Sequence, residues 1–293
     1  MVDASALSVW VDGRLVVPDE PSVRAHDHGL TVGDGVFETC VVRDGRPFAL
    51  SRHLRRLATS AAGLGLPAPD ETVLREAVAA VLVDRERRDG GPLAHGRLRI
   101  TMTGGSGPLG SARGDAAPTL LVLASAVARP DASTAVHVVP WVRNERSAVA
   151  GLKTTSYADN VVALAHAHER GASEALFANT RDELCEGTGS NVVVVLDGVA
   201  VTPPLDSGCL AGITRELLLE WTQRDGVVVE ERAVGMAELA RADEVLLTSS
   251  TRDVQPVHRV DERRLEPGPV GARLADLFRR HAADDPDPVG AGR

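Results

Sequence analysis

Lysine is nearly missing from this chain: of its 32 Lys and Arg residues only Lys153 is a lysine, and the single tyrosine, Tyr157, follows four positions later. Basic charge is supplied as arginine everywhere else. A guanidinium stays protonated at any working pH and is a poor nucleophile, whereas a primary amine shifts its pKa readily and can form an imine with a carbonyl. One retained lysine therefore suggests chemistry that arginine cannot perform. Aromatics are also scarce, at 3%, and the net charge is −9 with the arginines scattered along the sequence, which excludes a basic, ring-studded surface for nucleic acid. The three cysteines, Cys40, Cys185 and Cys209, form no CxxC, cannot all pair with one another and show no metal-ligand spacing, which favours a reducing cytoplasm over a disulfide scaffold. No apolar run approaches the length of a membrane span, and Met1-Val2-Asp3-Ala4-Ser5 lacks the basic region and apolar core of a signal peptide. The composition thus predicts a cytoplasmic protein without membrane or nucleic-acid partners. His26-Asp27-His28, two histidines flanking a carboxylate in a loop, reads as local hydrogen bonding, and no metal is expected.

What is present is punctuated by glycine. Ser8 to Val11 and Val36 to Val42 read as strands, each followed by an Asp-Gly hairpin turn, Asp12-Gly13 and Asp44-Gly45. Helical spacing covers Arg52 to Leu64 and Glu71 to Arg87, the latter through Val73, Ala77, Val81 and Val83; strands return at Leu98 to Thr103 and Thr119 to Ala124. The Ala-, Ser- and Pro-containing stretch after Ala124 has linker composition. The expected organisation is a small N-terminal α/β domain over 1–127, a linker over 128–134, a larger domain over 135–282 and a disordered acidic tail over 283–293. In the larger part, Ser156 with Asp159 three residues on reads as a capping box. Asn191 to Leu196, Asp197-Gly198 and Val199 to Thr202 read as a hairpin, Ile213, Leu217, Leu218 and Trp221 as a helical stripe, and Glu244 to Thr248 as a strand.

Four separated segments carry chemistry. Lys153 can hold an aldehyde as an imine and move a proton. In Cys185-Glu186-Gly187-Thr188-Gly189-Ser190-Asn191 a carboxylate at a strand edge can keep a pyridine nitrogen protonated, which makes the ring a stronger electron sink. Ser207-Gly208-Cys209-Leu210-Ala211-Gly212-Ile213-Thr214-Arg215 opens a helix behind a glycine-punctuated loop, where free amides and the macrodipole attract phosphate. Thr248-Ser249-Ser250-Thr251 offers hydroxyls just after a strand. Each alone is a weak signal; together they match the needs of pyridoxal 5'-phosphate.

In this order the segments closely resemble the class IV aminotransferase family, the fold-type IV pyridoxal phosphate enzymes. Gly33-Asp34-Gly35-Val36-Phe37-Glu38 resembles the small-domain motif and His53-Leu54-Arg55-Arg56-Leu57 the His-x-x-Arg-Leu segment. Glu186 to Asn191, and Thr202-Pro203-Pro204-Leu205 through Arg215, resemble the most specific signatures. The resemblance implies an α/β (α+β) fold with a small N-terminal α/β domain and a larger C-terminal domain with a barrel-like sheet. It also implies a homodimer acting on a small-molecule amine. By the same resemblance Lys153 is the catalytic, Schiff-base lysine, Glu186 the partner of the pyridine nitrogen, and Arg56, Ile213 and Thr214 phosphate ligands. Ser250 is the remaining phosphate ligand, with Ser249 or Thr251 as alternatives. Tyr157 is expected at the cofactor's phenolic oxygen or packed beneath its helix, and Asn191 holding the Glu186 strand.

The family contains amino-acid transaminases and 4-amino-4-deoxychorismate lyase, which releases pyruvate to give 4-aminobenzoate for folate. Three features lean toward the lyase. Phe37 replaces the phenol of D-amino-acid transaminases, the loop Thr103-Gly104-Gly105-Ser106-Gly107-Pro108-Leu109-Gly110 lacks the Arg and His with which they trap a carboxylate, and Tyr157 stands at +4 from the lysine. The alternative is a branched-chain or D-amino-acid transaminase using a 2-oxo acid acceptor, for which Phe37 and the Thr202 to Arg215 signature also suit a branched-chain enzyme. A non-catalytic cofactor-binding protein is the remote reading, opposed by the presence of Lys153 and Glu186. The lyase substrate has two carboxylates, and Arg113 and Arg143 are the expected arginines to meet them, with Phe37 beside the substrate.

Overall fold

A computed structural model describes residues 6–289 in two compact units, one of residues 6–129, 152–157 and 286–289, the other of 130–151 and 158–285. Among the described residues no helix is long and apolar enough to cross a membrane.

The first unit contains β1 (Leu7–Val11), β2 (Arg14–Val16), α1 (His28–Thr31), β3 (Gly35–Arg43), β4 (Arg46–Pro47), α2 (Leu50–Gly63), α3 (Glu71–Asp89), β5 (His95–Thr103) and β6 (Leu120–Ala126). Its six strands pair antiparallel in the order β2-β1-β6-β5-β3-β4. Both Asp-Gly pairs turn the chain with positive φ at each residue, 43° and 100° at Asp12-Gly13 and 47° and 76° at Asp44-Gly45, as two-residue hairpins of this hand require. Val36, Cys40 and Val42 alternate onto one face of β3 and pack with Leu98 and Ile100 under Leu54, Leu57 and Ala61 of α2 and Leu74, Ala77 and Val81 of α3. Asp70 caps α3 by accepting from the amides of Thr72 and Val73. Val83, expected on the same stripe, is exposed: it follows Val81 by two residues and so points to the far side of the helix.

His26-Asp27-His28 closes loops. The Asp27 carboxylate accepts from Gly29 N, Thr103 Oγ1 and Thr119 Oγ1, and His28 Nε2 lies 2.8 Å from the Pro108 carbonyl. The acidic tail expected to be disordered is tied down as far as it is described. Asp287 accepts from the amide and hydroxyl of Ser51, and the Pro288 carbonyl accepts from Arg52 Nε at 2.7 Å, while 290–293 lie outside the described residues.

The second unit contains β7 (Thr134–Arg143), α4 (Ala158–His168), β8 (Glu174–Asn179), β9 (Leu184–Gly187), β10 (Asn191–Leu196), β11 (Val199–Thr202), α5 (Ile213–Arg224), β12 (Val229–Glu231), α6 (Met236–Leu239), β13 (Glu244–Ser249), β14 (Asp253–Val260), β15 (Arg263–Arg264) and α7 (Pro269–Asp284). The mixed sheet runs β12-β11-β10-β13-β14-β7-β8-β9, with β15 on β14. It curls as a half-barrel around Val136, Leu176, Leu184, Val192, Val194, Val245, Leu247 and Val257, which come from six strands and form one apolar cluster. On the outer face α5 and α7 meet through Trp221 and Phe278, ring centroids 5.0 Å apart. The predicted stripe of Ile213, Leu217, Leu218 and Trp221 is buried. Ser156 does not cap α4, which begins at Ala158; its hydroxyl donates to the Gly33 carbonyl at 3.0 Å instead.

Candidate active site

In the first unit the segment carrying Lys153 is laid along the start of β3. Phe37 N donates to Lys153 O at 2.9 Å, Thr155 N to Gly35 O at 2.8 Å, and Thr154 bridges Val36. Lys153 N in turn donates to Ser60 Oγ of α2 at 3.1 Å. This stitching explains two glycines of the Gly33-Asp34-Gly35 motif. Gly33 has φ +69°, and a Cβ there would stand 2.7 Å from Ser156 Oγ; at Gly35 it would stand 2.9 Å from the Met102 carbonyl and 3.0 Å from Thr155 Oγ1. The backbone thus fixes Lys153 while its side chain runs over Phe37, with Nζ 4.4 Å from the ring centroid and 5.9 Å from that of Tyr157. Tyr157 meets Phe37 edge-on, centroids 5.2 Å apart at 82°.

Arg56 is gripped by a group on the core face of β3. Its Nε donates to Glu38 Oε1 at 2.7 Å and its Nη2 to Glu38 Oε2 at 2.8 Å, a bidentate pair, while His53 Nδ1 sits 2.6 Å from Glu38 Oε2. Burial alone would raise the Glu38 carboxyl, but Arg56 and His53 outweigh it and hold it well below the ordinary carboxylate range. Burial lowers His53 below its usual 6.5, against the pull of Glu38, so the ring is neutral at pH 7 and donates Nδ1–H. Removing Arg56 would leave a buried, uncompensated carboxylate. We expect Arg56→Ala to cost about 3 kcal/mol or more in denaturant unfolding at pH 7. A carboxyl with a depressed folded pKa stabilises above its unfolded value and loses that as pH falls; without Arg56 the carboxyl is raised by burial and the sign reverses. The deficit should therefore shrink as the pH is lowered, and a pH-independent deficit would contradict the pairing.

In the second unit Glu186 and Asn191 hold one peptide between them. Leu210 N donates to Glu186 Oε2 at 2.9 Å, and Asn191 Nδ2 donates to Leu210 O at 2.8 Å. Asn191 also packs so closely on Gly212 that a Cβ there would overlap its Oδ1. Gly212 is the N-cap of α5 and supplies no side chain to the amides of the first turn, where buried Ile213 and Thr214 lie. Asn191, expected to steady the Glu186 strand, thus positions the helix start instead. In register with Asn191 on β13 is Thr248, whose buried Oγ1 has no hydrogen-bond partner among the described residues. Ser250 follows in the turn between β13 and β14 and is half-buried.

The two arginines expected at substrate carboxylates are otherwise engaged. Arg113 donates bidentately to Asp34, at 2.7 and 2.6 Å, and to the carbonyls of Gly65 and Leu64, which clamps the glycine motif to the end of α2. Arg143 lies 3.4 Å from Glu186 Oε1, bonds Asn160 Oδ1 and stacks on Phe177, 4.2 Å from its centroid. It is a counter-ion to Glu186. Asn160 extends this chain of contacts to the Thr188 carbonyl, and buried Glu174 accepts from the Thr188 amide and hydroxyl and from Ser190 Oγ, fixing the turn after Glu186.

Sequence reasoning missed Glu38, Asn160, Glu174 and Arg99. Glu38 stood within a quoted motif, and its even-numbered spacing with Val36 and Cys40 on a strand would have put it on the helix-covered face. Arg99 carries no such signal, because its place over Phe37 comes from strand register.

A family model for class IV amino-transferases matches residues 35–260. The chain is 33% identical to the bifunctional aminodeoxychorismate lyase / D-amino acid transaminase of Mycobacterium tuberculosis, an alignment covering 92% of this chain and 96% of that protein. Among solved structures it resembles a fold IV-transaminase from Curtobacterium pusillum, with a TM-score of 0.81 and 34% identity over 92% of this chain and 97% of that one. It also resembles the PLP-bound form of a hypothetical aminotransferase from Mycobacterium tuberculosis, with a TM-score of 0.82 and 31% identity over 95% of this chain and 100% of that one. The family match spans β3, the lysine segment and the Glu186 to Arg215 region: the chain belongs to the class IV aminotransferase family and is a pyridoxal phosphate-dependent enzyme of that class.

Proposed function

We propose that this enzyme is a 4-amino-4-deoxychorismate lyase, cleaving pyruvate from its substrate to leave 4-aminobenzoate. Its residues fit pyridoxal phosphate. The first turn of α5 has no side-chain cap, the Gly212 position excludes a Cβ that would cover those amides, and the buried Thr248 hydroxyl lacks a partner in the run expected to meet phosphate. When bound, the cofactor supplies an aldehyde for an amine and a ring that withdraws electrons. Lys153 would hold that aldehyde covalently at Nζ. Glu186, which lies beside Arg143 and accepts from Leu210 N, would keep the ring nitrogen protonated. In the first unit Arg56, oriented by Glu38, would be a phosphate ligand and Tyr157 a partner of the phenolic oxygen; in the second unit the Ile213 and Thr214 amides and a hydroxyl at Ser250 would be phosphate ligands. Lys153 Nζ, when not holding the aldehyde, would take the proton from the carbon beside the substrate amine. The bond from the neighbouring ring carbon to the enolpyruvyl oxygen would then break, pyruvate leaving as its enolate and taking up a proton, and the ring would become aromatic.

The observation that carries this reading is the phenyl ring of Phe37 under Lys153 Nζ, where a transaminase-like phenol would offer a hydroxyl. The Thr103 to Gly110 loop adds no cationic side chain and is held at Pro108 by His28. Aminodeoxychorismate should give 4-aminobenzoate and pyruvate in equal amounts over many turnovers with no 2-oxo acid added. Rapid bleaching of the cofactor absorbance by D-alanine or leucine, reversed by pyruvate or 2-oxoglutarate and without aminobenzoate formation, would replace the lyase by a transaminase. The double activity of the Mycobacterium tuberculosis relative favours D-amino-acid transamination as that second reading.

The enzyme acts as a homodimer in the cytoplasm on this reading. Three buried, free cysteines suit a reducing compartment, and the exposed Trp141, Val142, Val161 and Val162 of β7 and α4 offer an apolar face to a second copy. A single-chain mass by light scattering would remove the dimer.

A further inference from the structure

Helix α2 starts without a cap of its own. Ala49 stands at its N-cap with left-handed backbone, φ 54°, its methyl accepts no hydrogen bond, and the first turn carries no acidic residue. The acceptors come instead from the far end of the chain. The Pro286 carbonyl accepts from Ala49 N at 2.8 Å, Asp287 Oδ1 from Ser51 N at 2.9 Å, Asp287 Oδ2 from Ser51 Oγ at 2.6 Å, and the Pro288 carbonyl from Arg52 Nε at 2.7 Å. Three successive residues thus serve the opening turn of a helix 236 positions earlier, and the carboxylate meets the positive end of its macrodipole. The sequence of this strap suits the task. Both prolines fix their own φ and Pro288 keeps Asp287 extended, so little backbone freedom is lost on docking.

Within the first unit α2 holds the groups beside Lys153. His53 and Arg56 both donate to Glu38, and Ser60 Oγ accepts from Lys153 N. Asp287 stands close to this cluster: burial pushes the Cys40 thiol well up, and the charges of Glu38 and Asp287 add to the rise against that of Arg56. Helix ends open first, and fraying of one turn here would reach His53, which shares the Glu38 carboxylate with Arg56.

We propose that Asp287 is a positioning residue for cofactor binding: by capping α2 it fixes the turn that carries His53, His53 and Arg56 hold Glu38 between them, and Arg56 is thereby presented to the phosphate. The inference rests on the reading of Arg56 as a phosphate ligand.

The full-length chain, freed of cofactor, is titrated by absorbance with pyridoxal 5'-phosphate and with pyridoxal, which lacks the phosphate. Asp287→Ala should weaken the phosphorylated ligand by about three- to thirty-fold, the range of a lost helix cap, and leave pyridoxal nearly unchanged. Asp287→Asn keeps an acceptor for the Ser51 amide without the charge, should fall between wild type and alanine, and serves if the alanine variant does not fold. In both variants hydrogen exchange at the amides of 50–56 should quicken while that of α3 stays as it is. A merely structural tail would lower the melting temperature and leave the ratio of the two affinities at its wild-type value; that result, or equal weakening of both ligands, overturns the proposal. Arg56→Gln in parallel tells the two readings apart. If it leaves the ratio intact, the phosphate is held elsewhere and the reading of Arg56 falls together with this inference. If it lowers the ratio and neither Asp287 variant does, Arg56 keeps its role and that of Asp287 alone is lost.

Discussion

Lys153→Arg is expected to abolish covalent attachment of the cofactor and to lower turnover by about four decades or more, because no guanidinium can form the imine or shuttle its proton. The fold should survive. What anchors this segment is backbone: Lys153 O accepts from Phe37 N and Lys153 N donates to Ser60 Oγ, while the side chain lies over Phe37 and near Tyr157, where an arginine can also stack. Circular dichroism and the melting temperature should therefore remain close to wild type while the visible absorbance of the covalently held cofactor disappears. Borohydride reduction of the wild-type holoenzyme followed by peptide mass mapping checks the position directly. A label on any residue other than Lys153 would remove the catalytic assignment.

Glu186→Gln separates charge from shape. The glutamine oxygen can still accept from Leu210 N, so the 209–212 segment and the start of α5 should keep their places, but the negative charge beside Arg143 is gone. A neutral amide cannot keep the pyridine nitrogen protonated, and turnover should fall by about two to four decades, the range of a lost proton-holding group. Covalent cofactor should persist. Arg143 loses its counter-ion in this variant, and the double variant Glu186→Gln with Arg143→Met should recover stability without recovering rate. Near-native turnover in Glu186→Gln would mean that the carboxylate serves only the peptide of Leu210.

Local chemistry explains why so much of the fold was legible in the sequence. Asp-Gly pairs impose their turns through left-handed backbone at both residues, so the hairpins at 12–13, 44–45 and 197–198 could be read directly, and β10 and β11 begin and end where expected. The buried stripe of α5 followed from helical spacing alone. The tail after 283 was misread because acidity and proline describe a chain without partners, and the Ser51 and Arg52 groups that bind it are more than 230 positions away. Ser156 was misread for a related reason: its hydroxyl suits a cap, but a closer long-range acceptor, the Gly33 carbonyl, takes it.

By itself the sequence determined that a single lysine amine is available for imine chemistry, that a carboxylate follows at the edge of a strand and that a glycine leads into a helix, because residue type and local turn geometry fix those properties. The resemblance carried by the same motifs pointed to the family. Tertiary structure alone decided which charges are already spent. Arg56 meets Glu38 across a helix and a strand, Arg113 and Arg143 find carboxylates far along the chain, and Arg99 lies over the face of Phe37. Pairing of this kind depends on register and on which face of a sheet a side chain occupies, and a shift of a single residue in β5 would turn Arg99 to the other face.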